Sequence, residues 1–353
     1  MRVFMEPKEN PGNSYNHLLS NSLEQKGADV IALNKKTIIK VSKGDIVHFH
    51  WPSHLYSGNS PISTAIKSVT FMGILSYFKL KRAKIVWTMH NVWPHNVKKT
   101  RFQKWYRSLV CSFMNKIIIM NQGLSGEISR QFNVDTGKID VIKHGHYIGE
   151  YPSKQIDVRK QLNIKETDFV YGFIGAISPY KGVEDLIEQF QKIEGDHLKL
   201  LICGKVSKSF NKEIFDSIND DRIILKLEFI PDDELHDYLN ALDAMVLPYK
   251  VITNSGSAIL ALSHHVPLVI PNVETLKEYI PEGCAAYFDK GDSAGLRDAM
   301  RDITKLDKQE YEKERAKQIK ELSWENIAEQ TIQAYESTFP LVAREKEGKT
   351  VKS

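Results

Sequence analysis

The sequence predicts an α/β protein with two doubly wound parallel sheets of similar size. Short apolar runs rich in β-branched and aromatic residues alternate along the chain with segments of helical periodicity, as in parallel sheets covered on both faces. The alternation stops in a loop-like stretch with Gly149 and Pro152 and then starts again. The length of 353 residues also exceeds what one hydrophobic core usually organises. We therefore expect two Rossmann-like domains, residues 1–150 and 151–322, with a linker near residue 150.

The first domain is predicted to contain six strands separated by helices. A helix that carries Tyr15, Leu18 and Leu23 ends at Gly27, a suitable C-cap residue, and a longer helical stretch runs from Ile62 to Leu80. Apolar runs mark the strands at residues 2–5, 30–33, 45–52, 84–91, 115–120 and 139–142. Strands joined in this way by helices favour a parallel sheet.

The second domain repeats this pattern. One of its helices opens with Asp232, Asp233 and Glu234, whose charges suit the positive end of a helix dipole. Open α/β sheets bind ligands at the carboxyl ends of their strands, so we expect a cleft where the two sheets face each other. Strands are predicted at residues 170–174, 199–203, 223–229, 244–247, 267–270 and 285–288.

A glycine-bearing turn in the second domain is the first candidate binding site. The apolar run 169–174 leads into Gly175, Lys181 and Gly182, and helical spacing begins near Val183. A turn that enters a helix presents unpaired N–H groups and the positive end of a dipole, which together favour a phosphate. Lys181 adds a cation at the same place. The alternative is a simple chain reversal followed by a surface lysine.

Charge is distributed unevenly along the chain. Residues 46–126 contain eleven lysines and arginines and no Asp or Glu, which leaves −7 for the remainder of a chain whose net charge is +4. Aromatic residues are interleaved with these cations, so the stretch predicts contact with an anionic surface, either a membrane leaflet or nucleic acid. An ordinary solvated basic face is the alternative. We favour peripheral contact with a membrane.

Cysteine usage and hydropathy predict a cytoplasmic protein. Cys111, Cys203 and Cys284 are isolated and lie in apolar sequence, as reduced core thiols do. The first residues do not form the apolar segment of a secretory signal. No apolar run reaches the roughly 18 residues that a transmembrane helix needs.

Five short motifs follow one another along the chain: the glycine turn Gly175–Gly182, the strand and glycine at 200–204, and the segments 229–235, 244–248 and 323–328. In this order they resemble the GT-B glycosyltransferases, and in particular family 4-like bacterial enzymes that build surface polysaccharides and lipid-linked glycans, in which the first motif is the diphosphate loop. The resemblance covers nearly the whole chain and implies a GT-B fold, with residues 323–342 forming a helix that crosses back to the first domain. A polar tail, residues 343–353, would follow.

The chain departs from this family in two places. Ala176 occupies the position where the family usually carries an arginine. Ile252 and Leu260 stand where it carries a pair of glutamates, of which the second normally grips the donor ribose. The segment 253–258, Thr-Asn-Ser-Gly-Ser-Ala, lies there instead. It resembles the corresponding loop of some exopolysaccharide mannosyltransferases that invert configuration.

The resemblance implies that a nucleotide diphosphosugar is the donor substrate. Its diphosphate would be bound by Gly175, Lys181 and the turn Ser255-Gly256-Ser257, which could also be a plain helix N-cap. Glu274 and Glu278 would contact the ribose or the sugar, or would only open a helix. The sequence has no Asp-x-Asp pair, so we expect a reaction without a metal ion or other cofactor.

The first domain would bind the acceptor and supply the catalytic groups. His90 resembles the family's histidine near the sugar, although it could also be structural, and an inverting enzyme would need a base. We expect Glu9 to be that base, with Glu6, Asp45 and Glu127 as the other choices, whereas a retaining enzyme would need none. The acceptor is expected to contact Gly12, Asn13, His50, Trp51 and Trp93.

These expectations describe a glycosyltransferase that moves a sugar, with mannose as the first guess, from a nucleotide diphosphosugar to a hydroxyl of a lipid-linked oligosaccharide. Its partners would be the donor, this acceptor and an anionic membrane surface, with no nucleic acid. Such an acceptor implies a cytoplasmic protein that lies peripherally at the inner face of the plasma membrane. The alternative is a non-catalytic protein that binds nucleotide sugars or polyanions on a degenerate GT-B scaffold. The missing glutamates and arginine favour that alternative.

Overall fold

A computed structural model describes residues 1–10, 13–93, 100–252 and 255–340. The chain divides into two units. The first unit comprises Met1–Gly145 together with the chain from Leu322 onward, and the second unit comprises His146–Glu321. The divisions lie close to the sequence-based boundaries after residues 150 and 322.

The described residues form strands and helices in regular alternation. The strands are β1 Arg2–Glu6, β2 Asp29–Ala32, β3 Ile46–Phe49, β4 Lys84–Thr88, β5 Lys116–Ile119, β6 Ile139–Val141, β7 Phe169–Ile174, β8 Leu198–Cys203, β9 Ile223–Lys226, β10 Ala244–Val246, β11 Leu268–Pro271 and β12 Ala285–Phe288. The helices are α1 Tyr15–Gln25, α2 Ser53–Tyr56, α3 Pro61–Leu80, α4 Arg101–Phe113, α5 Ser125–Phe132, α6 Val158–Gln161, α7 Val183–Gln191, α8 Glu213–Asp216, α9 Asp232–Asn240, α10 Gly256–Ser263, α11 Glu274–Lys277, α12 Ser293–Ile303, α13 Lys308–Glu321 and α14 Trp324–Glu336.

The first unit contains a six-stranded parallel sheet in the order β2-β1-β3-β4-β5-β6. All four residues of β3 are buried, as expected of a central strand covered on both faces. Helix α14 packs against α1 in this unit, and its Trp324, Ile327 and Tyr335 belong to the same buried cluster as Tyr15. The last described helix therefore completes the core of the first unit.

The second unit contains another six-stranded parallel sheet, in the order β12-β11-β10-β7-β8-β9. The predicted α/β class with two doubly wound sheets is confirmed. Strand β9 ends at Lys226, earlier than the predicted 223–229, because its partner β8 ends at Cys203, which pairs with Lys226, and Leu227 and Phe229 are exposed.

Each sheet has one point at which the direction of strand addition reverses. In the first unit β2 lies on one side of β1 and β3 on the other, and in the second unit β8 and β10 flank β7 in the same way. Loops that leave the carboxyl ends of two such strands diverge and open a crevice between them. The crevices are therefore expected after β1 and β3, and after β7 and β10.

Burial agrees with the interpretation of the cysteines. Cys111, Cys203 and Cys284 are free thiols and buried, and burial raises the pKa of each to about 12. Within the described residues, no helix has both the length and the apolar character needed to cross a bilayer.

Candidate functional sites at the carboxyl ends of the sheets

The turn after β7 is held against the end of β8. Gly175 has φ +146°, a conformation that residues with a Cβ rarely adopt, and its N–H donates to the Cys203 carbonyl over 3.0 Å. A Cβ added to Gly204 would lie 1.9 Å from the Gly175 oxygen. The two glycines thus allow a backbone approach that side chains would prevent.

Lys181 lies over this turn. It ends a single 3₁₀ turn, Pro179–Lys181, and its Nζ lies 5.2 Å from the centre of the Tyr249 ring. A Cβ built on Gly175 would be 3.2 Å from Lys181 Nζ and 3.9 Å from Ser257 Oγ. A cation, a hydroxyl and an open glycine turn therefore meet at the point where β7 and β10 diverge.

Gly182, the residue after Lys181, sets the path of the backbone at the end of the turn. Gly182 has φ +68° and precedes the first residue of α7. A Cβ at this position would lie 2.1 Å from the Pro248 carbonyl oxygen, in the loop after β10. Only glycine satisfies both the dihedral angle and the contact. The loops after β7 and β10 are thereby locked together.

The two serines of the turn before α10 have different contacts. Ser255 is buried, and its Oγ accepts from the Ala258 N–H over 3.0 Å, so this residue is an N-cap. Ser257 Oγ is the hydroxyl that lies near Gly175. Gly256 lies beside the Tyr147 hydroxyl, which would be 3.2 Å from an added Cβ. Thr253 and Asn254 lie outside the described residues.

Two glutamates and a cavity lie further along the same edge of the sheet. Glu274 opens α11 and is exposed, and Glu278 follows that helix, at the carboxyl end of β11. A cavity of about 390 Å³ is lined by Tyr249 and Lys250, among others, and by the residues that follow β12. Because Tyr249 also contacts Lys181, this cavity adjoins the glycine turn.

In the first unit, aromatic and imidazole rings collect where β3 and β4 end. His50 Nδ1 lies 3.3 Å from His90 Nε2, and the Trp51 ring stacks on His90 with centroids 4.1 Å apart. Tyr15 meets His90 edge-on at 4.9 Å. A ring face next to hydrogen-bonding nitrogens can receive the apolar face and the hydroxyls of a sugar.

A second layer of hydrogen bonds lies beneath these rings. His48 Nδ1 lies 2.7 Å from the Tyr335 hydroxyl on α14, and its Nε2 lies 2.8 Å from Thr88 Oγ1. Burial lowers the pKa of His48 to about 3, and burial together with neighbouring histidines holds the pKa of His50 and of His90 well below the usual value. These imidazoles are therefore neutral at pH 7. They are suited to hydrogen bonding with neutral groups and poorly suited to accepting a proton.

The other residues predicted for the first unit have varied surroundings. Glu9 is exposed in the loop after β1, and Asn13 accepts from the Tyr15 N–H through Oδ1 over 3.0 Å. Trp93 donates through Nε1 to Gln131 Oε1 on α5 over 2.6 Å. Gly12 lies outside the described residues.

One of the alternative carboxylates considered for a base, Glu6, has a partner that the sequence did not predict. Glu6 is the last residue of β1, and its Oε1 lies 3.3 Å from His54 Nε2 on α2. The available signal was its place at the end of the first strand. His54 gave no signal, because nothing in the sequence brings the residue after Pro52 and Ser53 to the end of β1.

Comparisons with known proteins agree with this architecture. Residues 154–322 match the family model described as glycosyl transferases group 1. A GDP-mannose:glycolipid 4-beta-D-mannosyltransferase of Xanthomonas campestris pv. campestris is 26% identical over 273 residues, which cover 74% of this chain and 73% of that protein. Among solved structures, Anabaena Alr3699/HepE in complex with UDP has a TM-score of 0.69 at 16% identity, covering 95% of this chain and 99% of its own. Sucrose-phosphate synthase from Thermosynechococcus elongatus has a TM-score of 0.67 at 15% identity, covering 95% and 98%.

Proposed function

Because this chain is a nucleotide-sugar-dependent glycosyltransferase with the GT-B fold, we propose that it transfers mannose from GDP-mannose to a hydroxyl of a lipid-linked glycan in surface polysaccharide synthesis. The observation that carries the proposal is that Lys181 Nζ and Ser257 Oγ both lie close to the Gly175 turn. The mannosyl donor and the glycolipid acceptor are the ones printed in the name of the Xanthomonas relative.

On the donor side, the reaction needs charge stabilisation as the diphosphate departs. The Lys181 ammonium would pair with the phosphate oxygens and the Ser257 hydroxyl would donate a hydrogen bond, while Gly175, which has no side chain, would leave room for the diphosphate. Removal of one preorganised donor of this kind typically lowers the rate by about 10²- to 10³-fold. Since Ser255 Oγ already caps α10, its role would be to fix the start of that helix.

On the acceptor side, Trp51 and the neutral His50 and His90 would position a sugar. The stacked Trp51–His90 pair offers a flat apolar surface, and the imidazole nitrogens offer hydrogen bonds without a charge. Such groups would fix the orientation of the acceptor hydroxyl, which the transfer requires.

We further propose that the reaction is independent of metal ions. Within the described residues, no group of three or more His, Cys, Asp or Glu side chains could hold a metal. The role of a metal, neutralising the diphosphate, would fall to Lys181 and the helix dipoles of the second unit.

The lipid-linked acceptor would be met at an anionic membrane, where the chain would lie peripherally. Several aromatic residues of the basic stretch 46–126 are buried, so a face built from them is not available. Exposed apolar side chains occur instead on two helices that contact each other: Ile62, Ile66 and Val69 on α3, and Phe102 and Trp105 on α4. Neither helix contains an acidic residue, which suits an anionic leaflet.

The test is a thermal-shift screen of GDP, UDP, ADP and dTDP against the wild-type protein and Lys181→Ala. A ligand that binds only the folded state raises Tm, so we expect GDP to stabilise the wild type and to stabilise the variant far less. Lys192→Ala is the matched control, since Lys192 is a partly exposed lysine of the same unit that pairs with Glu188. Incubation of the wild type with GDP-mannose and membrane glycolipid, followed by mass spectrometry, would then detect the transfer.

Two outcomes would overturn the proposal. Equal stabilisation of the wild type and Lys181→Ala would remove Lys181 from the donor site. Nucleotide binding without donor turnover would favour a non-catalytic nucleotide-sugar-binding protein, a reading supported by Ala176, Ile252 and Leu260 at positions where the related family carries charged residues.

A further inference from the structure

Glu6 lies at the crevice of the first unit, and one of its two carboxylate oxygens has no hydrogen-bond partner among the described residues. It ends β1, the strand at which the direction of strand addition reverses, and 16% of its side chain is exposed. Oε1 faces His54 Nε2 at 3.3 Å, whereas Oε2 is buried and has no hydrogen-bond partner among the described residues. A buried carboxylate oxygen without a donor destabilises the folded protein.

The surroundings of Glu6 are those of the candidate acceptor site. The His50 N–H donates to the Glu6 carbonyl over 2.9 Å, so the ends of β1 and β3 lie side by side. His54 Nδ1 lies 2.8 Å from the Trp51 carbonyl, and the Trp51 ring stacks on His90. One short path of contacts thus joins the Glu6 carboxylate to the rings proposed to hold the acceptor.

The other carboxylates considered for a base are less suited. Asp45 lies at the amino end of β3, where Arg2 binds it over 2.7 Å, so it belongs to the opposite edge of the sheet. Glu127 accepts from Gln131 on α5 over 2.6 Å. Glu9 is exposed, and exposure leaves a carboxylate well solvated and mobile. His90 is a weak base, because burial lowers its pKa.

We propose that Glu6 is the catalytic base of an inverting transfer, an assignment that rests on the proposed glycosyltransferase function. Its Oε2 takes the proton from the acceptor hydroxyl as that oxygen forms a bond to the anomeric carbon. The bond from the anomeric carbon to the diphosphate oxygen breaks at the same time, and the electron pair leaves with the nucleoside diphosphate. A single displacement of this kind inverts the anomeric configuration.

His54 is a positioning residue in this scheme. When its Nδ1–H donates to the Trp51 carbonyl, Nε2 can donate to Glu6 Oε1 only in the imidazolium form. The hydrogen bond to Glu6 raises the pKa of His54, which favours that form. One carboxylate oxygen is then held by His54, and Oε2, which has no hydrogen-bond partner among the described residues, is left to receive the proton.

The assignment is tested with Glu6→Gln, which keeps the side-chain shape and removes the base. With the nucleotide sugar that the wild type turns over, we expect kcat to fall by about 10²- to 10⁴-fold, while nucleotide affinity is unchanged because the donor site lies in the second unit. Glu329→Gln, an exposed glutamate on α14, is the control for an acidic residue of the same unit. Glu9→Gln tests the rival base.

Azide separates loss of a base from loss of structure. Azide is an anion at neutral pH and needs no deprotonation, so sodium azide is expected to restore donor consumption by Glu6→Gln, with a glycosyl azide of inverted configuration as product. His54→Gln should lower kcat less than Glu6→Gln does, and the double variant should be no slower than Glu6→Gln.

The possible failures are distinct. A wild type that consumes no nucleotide sugar would overturn the proposed function and the base together. An active wild type whose Glu6→Gln variant keeps full kcat, or whose Glu9→Gln variant alone loses it, would overturn the assignment of Glu6 and leave the glycosyltransferase proposal standing. A product with retained configuration would also refute Glu6 as the base.

Discussion

Acid should destabilise the first unit through its buried histidines, and His48 gives the clearest magnitude. The pKa of His48 is about 3 in the folded protein, because the ring is fully buried, against an ordinary histidine value of 6.5. Below pH 6.5 the unfolded chain binds the proton and the folded chain does not, so stability falls as the pH falls. Between pH 7 and pH 5, this one residue is expected to remove about 2 kcal/mol of stability.

The assay uses the tryptophans, because all five lie in the first unit: Trp51, Trp87, Trp93, Trp105 and Trp324. Urea unfolding followed by tryptophan fluorescence at pH 7 and pH 5 therefore reports on that unit. His48→Gln should lose about 2 kcal/mol less than the wild type over this interval. His17→Gln, which changes an exposed histidine of α1, should behave as the wild type does. Equal losses in the wild type and His48→Gln would refute the reasoning.

Three further predictions concern the donor turn, the membrane and metal ions. Gly182→Ala should lower Tm and abolish nucleotide binding, because the new Cβ would lie 2.1 Å from a carbonyl oxygen. Gly291 has a similar φ of +86° but open space around a built Cβ, so Gly291→Ala should lower the free energy of unfolding by only about 1 kcal/mol. In flotation at low salt, the wild type should bind anionic liposomes, and the double variant Ile66→Asp/Trp105→Asp should not. The control Val251→Asp, in the second unit, should bind the liposomes as the wild type does. Equal flotation of the two would refute the α3–α4 surface. Transfer activity should survive EDTA, and a loss that Mg²⁺ or Mn²⁺ restores would contradict a reaction without metal.

The fold was predictable because its signals are local. The strand Phe169–Ile174 is an apolar run bounded by a glycine, and the helix Pro61–Leu80 begins with a Ser60 N-cap and a proline in its first turn. Such patterns identify an element wherever it lies in the fold. Such patterns do not identify which side of an element is buried. The sequence therefore did not separate the aromatic residues of the basic stretch that lie in the core, such as Trp87, from those on the surface, such as Trp105.

The sites were predictable only in part, because their contacts join distant parts of the chain. Gly175 and Lys181 are close in sequence and were recognised together, but their approach to Ser257 depends on β7 lying next to β10. The pairing of Glu6 with His54 likewise depends on β1 lying next to β3. The order of the strands in each sheet sets these contacts, and no single segment of the sequence predicts that order.

The membership of α14 in the first unit has a consequence for biosynthesis. Residues 146–321 can leave the ribosome and fold as soon as they are complete, since the second unit is continuous in sequence. Most of the first unit is translated earlier, but its core lacks Trp324 and Tyr335 until α14 emerges from the ribosome. Until then part of that core stays exposed. The half of the protein that is translated first is therefore the half that matures last, and truncation before residue 322 would leave it open to chaperones and proteases.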